Sequence, residues 1–330
     1  MERHANYQAE RIMRTSRRLI GISGMSDIIQ RRVPVLTIDS KAAGPTVWLT
    51  ACIHGDEVGG TAIIHDVFAD IRDAGLRCGK LHALPLINSM GFENVSRFIN
   101  ADREDLNRCF PGDPRGSMGE QIAHRLFDAI EDTRPELVID LHNDWIHSVP
   151  YILIEPPEYF SSERVRKRTL AVARSARQLL VQDSATTSSE LHRTLTGALV
   201  SAGIPAFTVE AGGACGIVEE GVSAGKETVL AVLHNLGMTE DPATEASRSV
   251  DARLLSYTNR PLCSSSGLVR FVVTPGDRVR ANQVVARIYS AFGSREETLR
   301  ATSAGYVLGL ADHARAVPGS ELIAIAQLDV

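Results

Sequence analysis

The sequence predicts an α/β fold, a mostly parallel sheet sandwiched by helices, with a small β-rich domain after it. Three observations carry this. Short apolar runs alternate with stretches of helical periodicity as far as about residue 238, an order that requires crossover connections and hence parallel strands. Three of the apolar runs lead into residues able to bind metal or move protons: Val47–Ala51 into His54 and Glu57, Leu137–Leu141 into His142, and Ile204–Val209 into Glu210. In open α/β sheets the ligand site lies at such carboxyl ends. Finally, residues 239–250, rich in Thr, Asp, Pro, Ala and Ser, read as a linker, and beyond them the chain changes to short strands with glycine turns.

In chain order, residues 1–30 are polar and weakly helical, an arm for which oligomer contact is one use. Residues 31–248 then form the α/β domain and 249–330 the β-rich one. Val33–Ile38 alternates like a strand. The turn Ser40–Pro45 precedes the central strand at Val47. Val58, Ile63, Ile64, Val67, Phe68 and Ile71 recur at helical spacing, and Leu81–Ile87 is a further apolar strand. Residues 88–115 form a long polar loop, of the kind that often carries function. Ser117 and Glu120 make a capping box that opens a helix reaching about Glu131. Helices are expected over 162–181 and 190–202, the latter stopped by Gly203. A last helix runs from about Gly225 to Asn235.

Composition narrows the function classes. The chain has 330 residues, 44% hydrophobic and 23% charged, with a formal net charge of −5. It therefore has room for two domains and carries no basic footprint for nucleic acid. Its five cysteines are scattered with no C-x-x-C pair, which argues against a disulfide framework and for a reducing compartment. The N-terminal stretch has no apolar core of a secretory signal, and no apolar run approaches membrane-spanning length. A cytoplasmic enzyme is the expectation.

The chemistry concentrates at the strand ends. His54 and Glu57 lie three residues apart on one turn, so an imidazole and a carboxylate can hold one face of a divalent cation. His142 occupies an equivalent strand end, and a catalytic zinc needs such a third protein ligand with a fourth place open to water. Four motifs together, His54-Gly-Asp-Glu57, Asp105-Leu-Asn-Arg108, Asp140-Leu-His142-Asn143 and Thr208-Val-Glu210-Ala-Gly-Gly213, resemble the succinylglutamate desuccinylase/aspartoacylase family. That family has a zinc carboxypeptidase-like fold, a mixed sheet sandwiched by helices, and the C-terminal β-rich region fits its architecture.

The resemblance implies one Zn2+ per chain, held by His54, Glu57 and His142, with Glu210 as general base and acid. It further implies that Asn107 and Arg108 bind a substrate carboxylate, for which the arginine fork is suited. Arg97 matches the arginine that polarises the scissile carbonyl, with Arg103 as competitor. Asp105 matches a carboxylate that hydrogen-bonds a zinc-bound imidazole, that of His54. The expected reaction is hydrolysis of the amide bond of an N-acyl amino acid, a small-molecule substrate, with no nucleic-acid or membrane partner and homo-oligomerisation left open. The alternatives are a metallocarboxypeptidase acting on small peptides and a non-catalytic zinc-binding protein. Asp144 and Glu155 are acidic residues near the site able to accept a cationic substrate side chain.

The segment around Gly267–Ile288 resembles that around Gly305–Ala326 at an offset of 38, two halves of a small barrel-sandwich similar to lipoyl and biotinyl domains. Residues 251–330 contain no lysine, so the attachment site of those carriers is missing. A structural or lid role beside the cleft is the remaining expectation.

Overall fold

A computed structural model of the chain describes residues 13–22, 31–99, 103–184, 191–213, 215–240 and 253–328. The first half runs β1 (Arg14–Ile22), β2 (Arg31–Asp39), β3 (Thr46–Ala51), α1 (Gly59–Ala74), β4 (Lys80–Leu84), α2 (Ser89–Glu93) and α3 (Met118–Glu131). There follow β5 (Leu137–His142), β6 (His147–Ser148), β7 (Tyr151–Ile154), α4 (Glu163–Ala173), β8 (Leu179–Gln182), α5 (Leu195–Ser201), β9 (Ala206–Glu210) and α6 (Glu219–Asn235). The C-terminal strands are β10 (Leu254–Thr258), β11 (Gly267–Phe271), β12 (Arg278–Val279), β13 (Val284–Tyr289), β14 (Arg295–Arg300), β15 (Gly305–Leu310), β16 (Arg315–Ala316) and β17 (Ile323–Gln327).

One large mixed sheet organises the described residues, in the order β1-β2-β4-β3-β5-β9-β7-β8-β10-β17-β15-β12. Its centre, β4-β3-β5-β9, is parallel, and β7 joins β9 antiparallel. Because side chains alternate along a strand, each central strand feeds two cores. Val47, Leu49, Leu137, Ile139, Phe207 and Val209 pack beneath α1 and α6. Trp48, Val138 and Ala206 face α3 and α5. On this second face the pattern turns polar toward the carboxyl ends, where Thr50, Asp140, His142, Thr208 and Glu210 stand in register across three strands. The capping box expected at Ser117 and Glu120 opens α3.

Several sequence expectations give way to tertiary pairing. Residues 14–22 are a strand rather than part of a weakly helical arm, because β2 supplies a full antiparallel ladder; residues 1–12 and 23–30 lie outside the described set. The helix expected over 162–181 stops at Ala173, Arg177 takes a left-handed φ of 57°, and Leu179–Gln182 becomes a strand between β7 and β10. Its apolar residues gain two ladder partners there, which outweighs helical continuation. The helix expected over 190–202 is shorter, starting at Leu195 with Thr194 as its cap. The long loop holds α2 and a helical turn at Leu106–Arg108. The linker read at 239–250 lies mostly outside the described residues.

The C-terminal strands repeat as the offset of 38 suggests, with β11, β12 and β13 matched by β15, β16 and β17. The halves exchange their short strands: β12 pairs with β15 and β16 with β11. Through β10, which lies parallel to β8, this region continues the large sheet.

Candidate active site

β3 ends at Ala51, and Cys52 adopts a left-handed φ of 56°, which turns the chain out of the sheet before His54. Such a conformation is unfavourable for a residue with a Cβ. The turn is held by a hydrogen bond from the Glu57 amide to the His54 carbonyl, 3.2 Å. Gly55 is required here, since a Cβ would meet the backbone of Gly91 at 2.0 Å. Burial, with Glu57 and Asp56 nearby, pushes the Cys52 thiol up to about 12, so it is inert.

The three candidate ligands converge. One suitable atom from each of His54, Glu57 and His142 lies within 4.8 Å of the other two, and all three residues are buried. Glu57 lies between the imidazoles, Oε1 2.6 Å from His54 Nδ1 and Oε2 2.8 Å from His142 Nδ1. The far nitrogens face carboxylates as well. His142 Nε2 is 2.8 Å from Asp140 Oδ2, and His54 Nε2 is 3.3 Å from Asp105 Oδ1. Asp140 is itself fixed by the Thr50 hydroxyl, which donates to Oδ1 at 2.6 Å. Burial alone would favour neutral forms. The two imidazoles nevertheless hold the Glu57 carboxyl below the usual carboxylate range, and Asp140 and Glu57 raise His142 above the usual imidazole range.

Arg97 is at this centre. Its Nε donates to Asp105 Oδ2 at 3.0 Å, and Nη1 lies 3.3 Å from Glu57 Oε1. Arg103 instead stacks on Phe98, 4.4 Å from the ring centroid. The structure thus places Arg97, not its competitor, beside His54 and Glu57. Asp105 also caps the turn at Leu106–Arg108, accepting from the Asn107 amide, so one carboxylate ties that turn to His54. Asn107 Oδ1 accepts from the Leu195 amide at 2.9 Å, which leaves the NH2 of this buried residue as its donor end. Arg108 Nη1 donates to the Asn107 carbonyl, and its guanidinium makes no ion pair among the described residues. The half-buried cation is therefore free to meet a carboxylate.

Glu210 pairs in register with His142 on β5 and Tyr151 on β7, on the face that carries Asp140. Its Oε2 is buried without a hydrogen-bond partner among the described residues. Burial raises its pKa well above the ordinary value, His142 opposes this, and Asp144, Glu57 and Asp140 add to it. The residues that sequence reasoning passed over are Asp140, Thr50 and Asn143. Asn143 joins three segments: Oδ1 accepts from Gly59 at the start of α1, its amide donates to Glu57, and Nδ2 donates to the Gly212 carbonyl after β9. Alternation along β5 could have found Asp140, two residues before His142 and hence on its face.

The donor set fits a divalent cation. Two imidazoles and a carboxylate converge, each imidazole has a second carboxylate at its far nitrogen, and the buried Oε2 of Glu210 has no hydrogen-bond partner among the described residues.

Comparison with known proteins matches residues 43–236 to the succinylglutamate desuccinylase/aspartoacylase catalytic domain. The chain belongs to that family. It is 33% identical over 111 residues to N-alpha-acetyl-L-2,4-diaminobutyric acid deacetylase of Halomonas elongata, a match spanning 34% of this chain and 32% of that relative. A crystal structure of a succinylglutamate desuccinylase/aspartoacylase from Rhodobacter sphaeroides superposes with TM-score 0.77 at 24% identity, over 95% of both chains. A metallo-carboxypeptidase from Burkholderia cenocepacia superposes with TM-score 0.52 at 16% identity, over 70% of this chain and 66% of that one. The fold is thus carboxypeptidase-like, with further strands at its C-terminal edge. Among the described residues no helix is long and apolar enough to cross a membrane.

Proposed function

We propose that the chain is a zinc-dependent deacylase that releases the amine of an N-acyl amino acid. The observation that carries this is the buried convergence of His54, Glu57 and His142 beside Glu210, whose Oε2 has no hydrogen-bond partner among the described residues. Zinc bound by those three residues would supply a Lewis acid that acidifies water to about pKa 7 and polarises the acyl oxygen.

The chain's own groups do the rest. Arg108 takes the substrate carboxylate through its fork, and the NH2 of Asn107 adds a donor. Arg97 lies where it can stabilise charge on the acyl oxygen. Glu210 accepts a proton from the attacking water and returns it to the departing nitrogen. Asp140 and Asp105 hold the two imidazoles in one orientation and tautomer. The diaminobutyric acid deacetylase among the relatives supports the N-acyl amino acid class.

The test is a panel of N-acetyl and N-succinyl amino acids and small peptides, with metal content measured in parallel. About one zinc per chain, and chelator-sensitive release of free amino acid, is the expected result. Cleavage confined to peptides would give the carboxypeptidase reading instead. Zinc binding with no hydrolysis of any substrate would leave a binding protein.

A further inference from the structure

Beyond the reacting centre, the same face of the sheet carries a second buried carboxylate. Glu155 follows β7 directly, and alternation places it on the side of Tyr151 and Leu153, whose partners across the ladder are Glu210 and Thr208. The start of α5 closes over it. Thr194 and Thr196 donate their hydroxyls to Glu155 Oε1 at 3.0 and 2.5 Å, and Thr196 Oγ1 is also 3.4 Å from Thr208 Oγ1. Leu195 between them is bound by Asn107, the neighbour of Arg108. One polar wall therefore runs from Glu210 through Thr208 and Thr196 to Glu155, with Arg108 near enough to act electrostatically on Glu155.

Glu155 is buried, yet it has no ion pair among the described residues. Both its hydrogen bonds fall on Oε1, and Oε2 receives none there. Arg108 is near enough to lower the Glu155 pKa but does not pair with it, and Asp183 adds negative charge. A buried carboxylate without a cation is costly. An anionic substrate group would raise that cost, an alkyl group would leave it, and a cation would remove it.

Resting on the deacylase reading above, we propose that Glu155 is the specificity-determining residue for the amino-acid side chain and takes an ammonium group at its end. The substrates are then N-acyl derivatives of diamino acids. Arg108 holds the α-carboxylate, and the side chain runs along the threonine wall. Burial, partly offset by Thr196 and Thr194, pushes the Glu155 pKa up to about 7, so an arriving ammonium ion meets a carboxyl that is only partly ionised near neutrality. Binding of the cation is thereby coupled to proton release.

The experiment compares kcat and KM of the zinc-loaded full chain on the N-acetyl derivatives of 2,4-diaminobutyrate, ornithine, lysine, norvaline, methionine and aspartate, between about pH 6 and 8. At least one cationic substrate should exceed norvaline by about tenfold or more in kcat/KM, a typical worth of one charge-assisted contact. The advantage should sit in KM and grow as pH rises. Glu155→Gln, which can still accept from both threonines, should cut the cationic-to-neutral ratio about tenfold or more and flatten its pH dependence. A residue that only secures the start of α5 would change all substrates alike. Independently of any variant, free 2,4-diaminobutyrate should inhibit wild type more strongly than 2-aminobutyrate. The proposal is overturned if wild type favours neutral or acidic substrates, if Glu155→Gln keeps the wild-type ratio, or if the two free amino acids inhibit equally. Hydrolysis of norvaline without cationic preference would sink this proposal and leave the deacylase reading. No hydrolysis anywhere on the panel would sink both.

Discussion

His142 is gripped by a carboxylate on each nitrogen, and Asp140 is the one not expected to bind metal. A carboxylate behind a ligating imidazole typically contributes 10–100-fold in affinity. Asp140→Ala should weaken zinc binding by about that factor in a chelator competition; unchanged affinity would reduce Asp140 to a partner of Thr50. Glu210→Gln should retain zinc and lose about 10²–10⁴ in kcat, the usual range for a general acid–base group. A near-wild-type rate would remove it from the mechanism. His54, Glu57, His142 and Glu210 were legible because each stands in or just beyond the carboxyl end of an apolar run. Asp140 was quoted in a motif and given no role: alternation with His142 shows its face, but its partner Thr50 lies 90 residues away, beyond any local pattern. The competition between Arg97 and Arg103 was not legible either. What the structure adds is that Asp105 draws Arg97 toward His54 and Glu57 while Arg103 stacks on Phe98.

At the scale of elements, the strand ends were easier to read than the helix ends. The capping box at Ser117 fixes the start of α3 through purely local bonds, so the sequence displays it. The end of α4 is decided by ladder partners on β7 and β10, which local periodicity does not contain. The junction of β7 with α5 carries a measurable consequence. Glu155 titrates near pH 7 when folded, chiefly through burial, against an ordinary 4.5. Its protonated form is favoured by folding, so the associated stability is complete below about pH 4.5 and is lost as pH rises through 7. The ceiling is about 3 kcal/mol for a shift of that size. Glu155→Gln cannot ionise, so its stability relative to wild type should increase between about pH 5 and 8. Urea unfolding of the metal-free proteins at those two values is the check. A difference that stays constant with pH would mean that Glu155 is not held in its protonated form.

For the whole molecule, the continuity of the sheet bears on what the C-terminal strands do. β10 completes the open side of β8, and Leu255, Leu308, Ala324 and Ala326 share a core with Tyr151 and Val181 of the catalytic half. Cutting the chain after residue 240 would expose that core, so the truncated protein is expected to be insoluble rather than a competent smaller enzyme. The same region also reaches toward the cleft. β15 pairs with β6, shortly after His142, and Asp312 Oδ1 accepts from the Ile146 amide at 2.7 Å. Asp312 is close enough to Asp144 and Cys215 to act on both electrostatically, and Tyr257 of β10 feels the charges of Asp144 and Glu210. The expected consequence is a cleft bounded on this side by the C-terminal strands, with the size of what enters limited there. Restricting water there would also strengthen the electrostatics of the centre. Asp312→Ala releases the loop from Ile146 without touching the shared core. In a series from N-acetyl to N-benzoyl amino acids it should raise kcat/KM for the bulky acyl groups severalfold relative to acetyl. An unchanged acyl profile in a folded, zinc-loaded variant would leave the C-terminal strands with the structural role alone.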